Sequence, residues 1–194
     1  PEADRRPPVC VYTSDPSRGL RILLEVWPEI RRQVPEAQLK VFSSMRLYLR
    51  GAKEKPQHEA LYDLARRLPG VEYVGSVPQP QLAKALRGAR LLLYPNIFPE
   101  TSCIAALEAQ AAGCVVVTSN LGALPETAWG NPLVFAPPDS PAYRAAFVAQ
   151  AVHVLTNDAL WRSVSGQNRH RMQSYGWHAV AREWLSLMSR GLEP

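Results

Sequence analysis

Short apolar runs alternate with stretches of helical periodicity along most of the chain. Residues 9–13, 39–42, 71–74, 91–94, 114–118 and 133–135 are runs of this kind. Their length and Val/Leu content predict strands covered on both faces, not the apolar-polar alternation of a half-exposed strand. After the first run, Leu20, Leu23, Leu24, Trp27, Ile30 and Val34 recur at helical spacing until Pro35 ends the pattern. A polar, charged insertion over 51–56 precedes a helix with Leu61, Leu64, Ala65 and Leu68 on one face. Residues 80–86 predict a short helix, and 102–112 a longer one closed by Gly113, which suits a left-handed C-cap. From Pro141 onward helical patterns dominate, and Trp161, Tyr175, Trp177 and Trp184 read as packing residues of that tail.

Strands buried on both faces and alternating with helices call for right-handed crossovers into a parallel sheet. The expected fold class is therefore α/β: a Rossmann-like, doubly wound parallel sheet with a helical C-terminal tail. In such a sheet ligands gather outside the carboxyl ends of the strands, where Arg18, Ser43, Gly75, Asn96, Glu100 and Ser119 fall. No internal repeat or low-complexity segment interrupts the alternation.

Candidate chemistry concentrates in segment 100–126, ETSCIAALEAQAAGCVVVTSNLGALPE. Glu100 and Glu108 are eight positions apart, which along a helix separates their Cα atoms by about 12 Å. Carboxylates that cleave a glycoside stand about 5 to 9.5 Å apart, so this spacing suits gripping two distant parts of one elongated ligand. The amides of Thr101, Ser102 and Cys103 would open from the first helical turn at the positive end of the macrodipole, a seat for a diphosphate. A nucleotide-diphosphate-sugar fits that layout. Blander roles stay open at each position: Glu100 as a carboxylate complementing the dipole, Arg18 as decoration of a turn, Glu126 as a cap, and Cys103 as a small buried thiol. Glu108, inside a small apolar helix, is costly to leave unpaired, and a hydroxyl-bearing ligand would satisfy it.

The order Glu100, seven residues, Glu108, then Ala109-x-Ala111-Ala112-Gly113, an apolar strand and Pro125-Glu126 resembles a known pattern. It is similar to the C-terminal, donor-binding domain of family 4 type retaining glycosyltransferases of the GT-B fold, the glycosyl transferases group 1. Asp15-Pro16-Ser17-Arg18-Gly19-Leu20 looks like that family's Lys-Gly turn with Arg18 in the lysine's place. Tyr175-Gly176-Trp177, with Val180 and Trp184 after it, looks like its closing helix, so the likeness extends through the chain. The resemblance implies that Glu100 contacts the transferred sugar, Glu108 the ribose hydroxyls, and Arg18 the diphosphate, together with the amides of Thr101, Ser102 and Cys103. Glu126 matches a third family position, and base recognition would rest on backbone groups of loop 75–78, which begins with Gly75. The resemblance also implies retention of configuration, no metal, and no cofactor apart from the nucleotide-diphosphate-sugar donor. An N-terminal acceptor-binding domain is the implied partner, with this chain as one half of a GT-B enzyme. Three departures stand out: Thr13 replaces an arginine, Ser102-Cys103 replaces Phe-Gly, and Ser43-Ser44-Met45 replaces a Gly-rich turn.

With 194 residues, 46% of them hydrophobic, the chain suits a proline-containing linker over 1–8 and one domain over 9–194. No apolar run approaches the roughly 20 residues of a membrane span and no charged-then-apolar leader is visible, so a cytoplasmic protein is expected. Cys10, Cys103 and Cys114 are an odd set without metal-ligand spacing, which predicts reduced thiols; the histidines lack such spacing too. The net charge of +5 comes mainly from scattered arginines such as Arg5, Arg6, Arg31, Arg32, Arg66 and Arg67, which read as solvated helix surface. Attraction of anionic nucleotides, or peripheral association with an acidic membrane, is the other reading of that charge. No basic stripe is interleaved with aromatics, so nucleic acid is not an expected partner. Two alternatives share the fold: a nucleotide-binding or interaction module without transfer activity, and a GT-B-like sugar-nucleotide epimerase, which would need carboxylates and a histidine around the sugar.

Overall fold

The computed structural model describes residues 8–45 and 55–190. Residues 1–7 of the expected linker, with Arg5 and Arg6, and residues 51–54 of the expected insertion lie outside the described residues. Six strands, β1 (Val9–Thr13), β2 (Gln38–Phe42), β3 (Val71–Tyr73), β4 (Leu91–Tyr94), β5 (Val115–Ser119) and β6 (Leu133–Val134), form one sheet in the order β3-β2-β1-β4-β5-β6. Every pairing is parallel, with Cys10 opposite both Leu39 and Leu91. This is the Rossmann-like doubly wound sheet that the apolar runs predict. The central strands are buried on both faces: Leu91, Leu92 and Leu93 in β4 and Val115, Val116 and Val117 in β5 have no exposed surface.

The connecting helices are α1 (Leu20–Gln33), α2 (Pro56–Arg67), α3 (Gln79–Arg87), α4 (Ile104–Ala112) and the single turn α5 (Leu124–Thr127); α6 (Pro141–Thr156), α7 (Asp158–Gln173) and α8 (Trp177–Arg190) follow the last strand. In α1 the periodic residues Leu20, Leu23, Leu24, Trp27 and Ile30 are all buried, each contributing about 1.5–3 kcal/mol relative to exposure. Packing of α1 on α2 and α6, and of α4 on α3 and α7, covers the sheet. Gly113 ends α4 with φ 91°, the left-handed C-cap expected of it.

Three local expectations differ from the structure. Helix α4 starts at Ile104, not 102, because residues 99–103 run as a loop ahead of it. Helix α2 starts at Pro56, inside the expected insertion, where a missing amide and a fixed φ suit the first turn. Tyr175, Trp177 and Trp184 are exposed, Trp177 to 85%, and no residue of α8 is buried, whereas Trp161 packs and donates from Nε1 to the Arg90 carbonyl at 3.2 Å. Helical spacing predicts an apolar face but not what covers it.

Candidate functional site

The sheet order reverses between β1 and β4, and a cavity of about 460 Å³ opens outside the carboxyl ends of β1 to β4. Thr13, Ser14, Asp15 and Arg18 enter it from the end of β1, Ser43 and Ser44 from β2, and Gly75, Ser76 and Val77 from β3. Tyr94 and Glu100 enter from the end of β4, followed by Ser102, Cys103, Ile104, Ala105 and Glu108 at the start of α4, with Gln79 and Leu82 from α3 completing the wall. Arg18, Ser43, Gly75, Glu100, Ser102, Cys103 and Glu108 are thus brought together. Thr101 and Glu126 are not: both are exposed and neither lines the cavity, Glu126 lying on α5.

Arg18 is held from three sides. Asp15 caps the 3-10 turn Pro16–Arg18, its Oδ1 accepting from Ser17 N at 2.8 Å while Oδ2 accepts from Arg18 Nε at 3.1 Å. The Phe98 ring lies 3.6 Å from the guanidinium carbon. Arg18 Nη1 stands 3.8 Å from Glu100 Oε1. Burial opposes the Arg18 charge, but the bond to Asp15 and the nearby Glu100 outweigh it, so its pKa lies above the usual guanidinium value. Gly19 then turns the chain into α1 at φ 100°, so close to the next loop that a Cβ would stand 1.9 Å from the Pro95 carbonyl oxygen.

That loop, between β4 and α4, carries Glu100. Asn96 clasps it: its Nδ2 donates to Phe98 O at 2.5 Å, its Oδ1 accepts from Phe98 N at 3.0 Å, and its own carbonyl accepts from Ser119 Oγ at 2.5 Å. Asn96 and Ser119, expected at the strand ends where ligands gather, are buried braces behind the cavity and do not line it. Glu100 Oε1 accepts from Tyr94 Oη at 2.7 Å. Burial pushes the Tyr94 phenol far above its ordinary value, which keeps it a donor at every physiological pH. From behind, Ala123 N donates to Glu100 O at 2.7 Å, and Gly122, at φ 58°, lets the two segments touch.

Only Glu108 of the two glutamates is helical, on the second turn of α4, so their separation is not a helical rise. It accepts from Gln79 Nε2 at 2.5 Å, a side-chain partner that the apolar neighbours of Glu108 did not disclose. Cys103 occupies the cap position of α4 as a buried thiol, and burial raises its pKa to about 11, so it is protonated and a poor nucleophile at neutral pH. Three buried polar atoms on this cavity, Thr13 Oγ1, Ser43 Oγ and Arg18 Nη1, have no hydrogen-bond partner among the described residues. Native proteins rarely leave such atoms unmatched, because each costs about 1–3 kcal/mol. Among the described residues no group of three His, Cys, Asp or Glu side chains could hold a metal ion.

Asp15, Tyr94, Gln79 and Gly122 are absent from the residues that motif reading selects. Asp15 carries a visible signal, an Asx residue just before Pro-Ser, and Tyr94 is the polar end of an apolar strand. Gln79 and Gly122 owe their importance to partners 29 and 22 residues away, Glu108 and Glu100, which local pattern does not reveal.

Residues 7–157 match the model of the family described as glycosyl transferases group 1. The chain is 28% identical over 171 residues to a phosphatidyl-myo-inositol mannosyltransferase of Mycobacterium tuberculosis, covering 86% of this chain and 42% of that protein. It is 28% identical over 169 residues to the phosphatidyl-myo-inositol mannosyltransferase of Mycobacterium leprae, covering 86% of this chain and 41% of that protein. It therefore spans less than half the length of these relatives. Among solved structures, sucrose-phosphate synthase from Thermosynechococcus elongatus superposes with a TM-score of 0.72 at 24% identity, over 94% of this chain and 45% of that one. A glycosyltransferase from Rickettsia africae superposes with a TM-score of 0.74 at 17% identity, over 96% and 48%. These likenesses give the Rossmann-like fold seen in GT-B enzymes, and the family match shows that the chain belongs to the glycosyl transferases group 1.

Proposed function

We propose that the chain is the nucleotide-sugar-binding half of a glycosyltransferase that moves a sugar from a nucleotide-diphosphate-sugar to an acceptor. The single observation that carries the reading is the convergence of three buried donors with no partner among the described residues, Thr13 Oγ1, Ser43 Oγ and Arg18 Nη1, on one cavity beside Glu100, Glu108 and the start of α4. A guanidinium, two hydroxyls and the positive end of a helix suit the acceptor-rich diphosphate, whereas carboxylates suit the hydroxyls of a sugar or ribose.

In this arrangement Glu108 accepts from the ribose and Glu100, steadied by Tyr94, accepts from a hydroxyl of the transferred sugar. As the bond from the sugar's anomeric carbon to the diphosphate oxygen breaks and one to the acceptor's hydroxyl oxygen forms, the electron pair of the broken bond and the growing negative charge stay on the diphosphate, which takes up the hydroxyl proton. Arg18, the hydroxyls and the helix terminus stabilise that charge without requiring a metal. The role of Thr101 passes to the first turn of α4, where Ile104 and Ala105 line the cavity. Retention of configuration and an acceptor held by an N-terminal domain complete the proposal, as does a cytoplasmic location with the charge of +5 favouring anionic donors and peripheral contact with acidic membrane. No helix of the described residues is long and apolar enough to cross a membrane.

A second reading, a binding module without transfer, draws on Arg18: Asp15 and Glu100 already flank its charge, leaving less of it for a diphosphate. Calorimetric titration with UDP, GDP and ADP and their sugar conjugates tests the proposal. One base series should bind, Glu108→Ala should abolish binding, and Thr13→Val and Ser43→Ala should each weaken it about three- to tenfold. Absence of binding at about millimolar nucleotide would refute the donor site. Binding of a nucleotide without any gain from its sugar would favour the second reading.

A further inference from the structure

We propose that Gln79 is a positioning residue for Glu108, fixing which carboxylate oxygen meets the ligand; the inference rests on the ribose role given to Glu108 above. Gln79 is the first residue of α3, and its Nε2 donates to Glu108 Oε1 at 2.5 Å across the cavity that both line. Glu108 Oε2 has no hydrogen-bond partner among the described residues, so one oxygen is held and the other is left to accept from a ligand. A glutamate side chain loses about 1.5–2 kcal/mol of rotamer freedom when fixed, and a partner that fixes it beforehand removes that cost from ligand binding.

The local sequence makes Gln79 suited to the task. It opens α3 between Pro78, whose ring fixes its own φ just ahead of the helix, and Pro80, whose missing amide costs nothing in a first turn where amides have no helical partner. Pro78 precedes the helix with extended geometry, φ −59° and ψ 146°, and α3 packs on α4, which carries Glu108. An amide also suits the position: a carboxylate there would oppose Glu108, and an aliphatic side chain would leave Oε1 free to rotate.

Affinity of the full chain for the nucleoside diphosphate selected by titration, for its 2′,3′-dideoxy analogue and for inorganic pyrophosphate tests this, in wild type, Gln79→Leu and Gln79→Glu. Wild type should prefer the ribonucleotide. Gln79→Leu should cut that preference about three- to tenfold, with pyrophosphate affinity and melting temperature unchanged. Gln79→Glu should lose the preference, because a second carboxylate cannot donate to Glu108 and repels it. Full ribose preference in Gln79→Leu would overturn the inference, as would an equal loss for ribonucleotide, dideoxy analogue and pyrophosphate, which marks a structural role only. If wild type itself shows no ribose preference, the assignment of Glu108 fails and this inference falls with it.

Discussion

Replacing Gly122 with alanine tests whether the placement of Glu100 depends on contact with the segment behind it. Gly122 sits at φ 58°, and a Cβ added there would stand 2.6 Å from both the amide nitrogen and the carbonyl oxygen of Glu100, and 2.8 Å from the Pro99 carbonyl carbon. Ordinary contact begins near 3.4 Å, so the Glu100 backbone must retreat by about 0.8 Å. The obstacle is backbone, not the end of a flexible side chain, and the bond from Ala123 N to Glu100 O at 2.7 Å lies beside it. Left-handed backbone in a residue with a Cβ, plus this displacement, costs about 1–3 kcal/mol. For a chain of this size that lowers the melting temperature by about 2–12 °C.

The functional consequence is more specific than the loss of stability. A shift of that size misaligns Glu100 from Tyr94 Oη at 2.7 Å and from Arg18 Nη1 at 3.8 Å, while Glu108 on α4 keeps its place. Gly122→Ala should therefore reduce the affinity gained by adding the sugar to the nucleotide about tenfold, and leave affinity for the bare nucleotide near wild type. Paired titrations with nucleoside diphosphate and its sugar conjugate measure that increment directly. An unchanged increment, or an equal loss for both ligands, would show that the Gly122 contact does not position a sugar-binding group.

Gly19→Ala should be the more damaging glycine substitution, because its Cβ would stand 1.9 Å from the Pro95 carbonyl oxygen; soluble yield and thermal melting check this. Native protein treated with iodoacetamide at about pH 8 should show no labelling of Cys10, Cys103 or Cys114 by mass spectrometry, since burial pushes all three thiols up, Cys103 to about 11 and Cys114 to about 12, and unfolding should expose them. Asn168→Ala removes the donor to Cys114 O at 2.8 Å and a partner of Asn131 in the core, and should cost about 1–3 kcal/mol in chemical denaturation. Acid should weaken the link between α1 and α6. Burial raises the pKa of Glu25 and of Asp139, but their bonds to Arg144 and Arg21 prevail and hold both below the usual values of 4.5 and 3.8. Their contribution is therefore complete above about pH 4.5 and lost as pH falls through the lowered values, so the melting temperature of Asp139→Asn should vary less with pH below that point than wild type does.

Much of the fold is legible in the order of residues because burial on both faces leaves an unmistakable pattern. Leu91-Leu92-Leu93-Tyr94 and the Val115 to Val117 run can hardly be anything but central strands. Boundaries are less legible where loop geometry decides them: Ser102 and Cys103 continue the helical spacing of α4, yet the chain bends around Asn96 and Gly122 before the helix starts at Ile104. In the site, Arg18, Glu100 and Glu108 stand out because charged groups beside apolar strands and helices demand a reason. Their partners do not stand out, because Asp15, Tyr94 and Gln79 are ordinary residue types that become significant only through contacts across the cavity. Exposed Trp177 and Trp184 show the converse limit, in which a clear apolar face on α8 carries no information about its cover.

The contacts of Arg18 and Glu100 also give a reason for the unmatched donors of the cavity. Asp15 takes Arg18 Nε and the Phe98 ring covers the guanidinium, yet Glu100 remains 3.8 Å from Nη1, beyond hydrogen-bond reach, and is occupied instead by Tyr94. A tighter pair of Arg18 and Glu100 would satisfy both groups and leave neither for a ligand. Held apart, the guanidinium retains a donor for an anion and the carboxylate retains acceptor capacity for a hydroxyl, with the two only one contact from each other. A molecule that joins a phosphate to a sugar satisfies both at once, and a free phosphate or a free sugar satisfies only one. Tyr94→Phe should shift that balance: released from the phenol, Glu100 should close on Arg18 and weaken the phosphate and sugar contributions together. Equal affinities of Tyr94→Phe and wild type for nucleotide and nucleotide-sugar would show that the separation is not maintained by Tyr94.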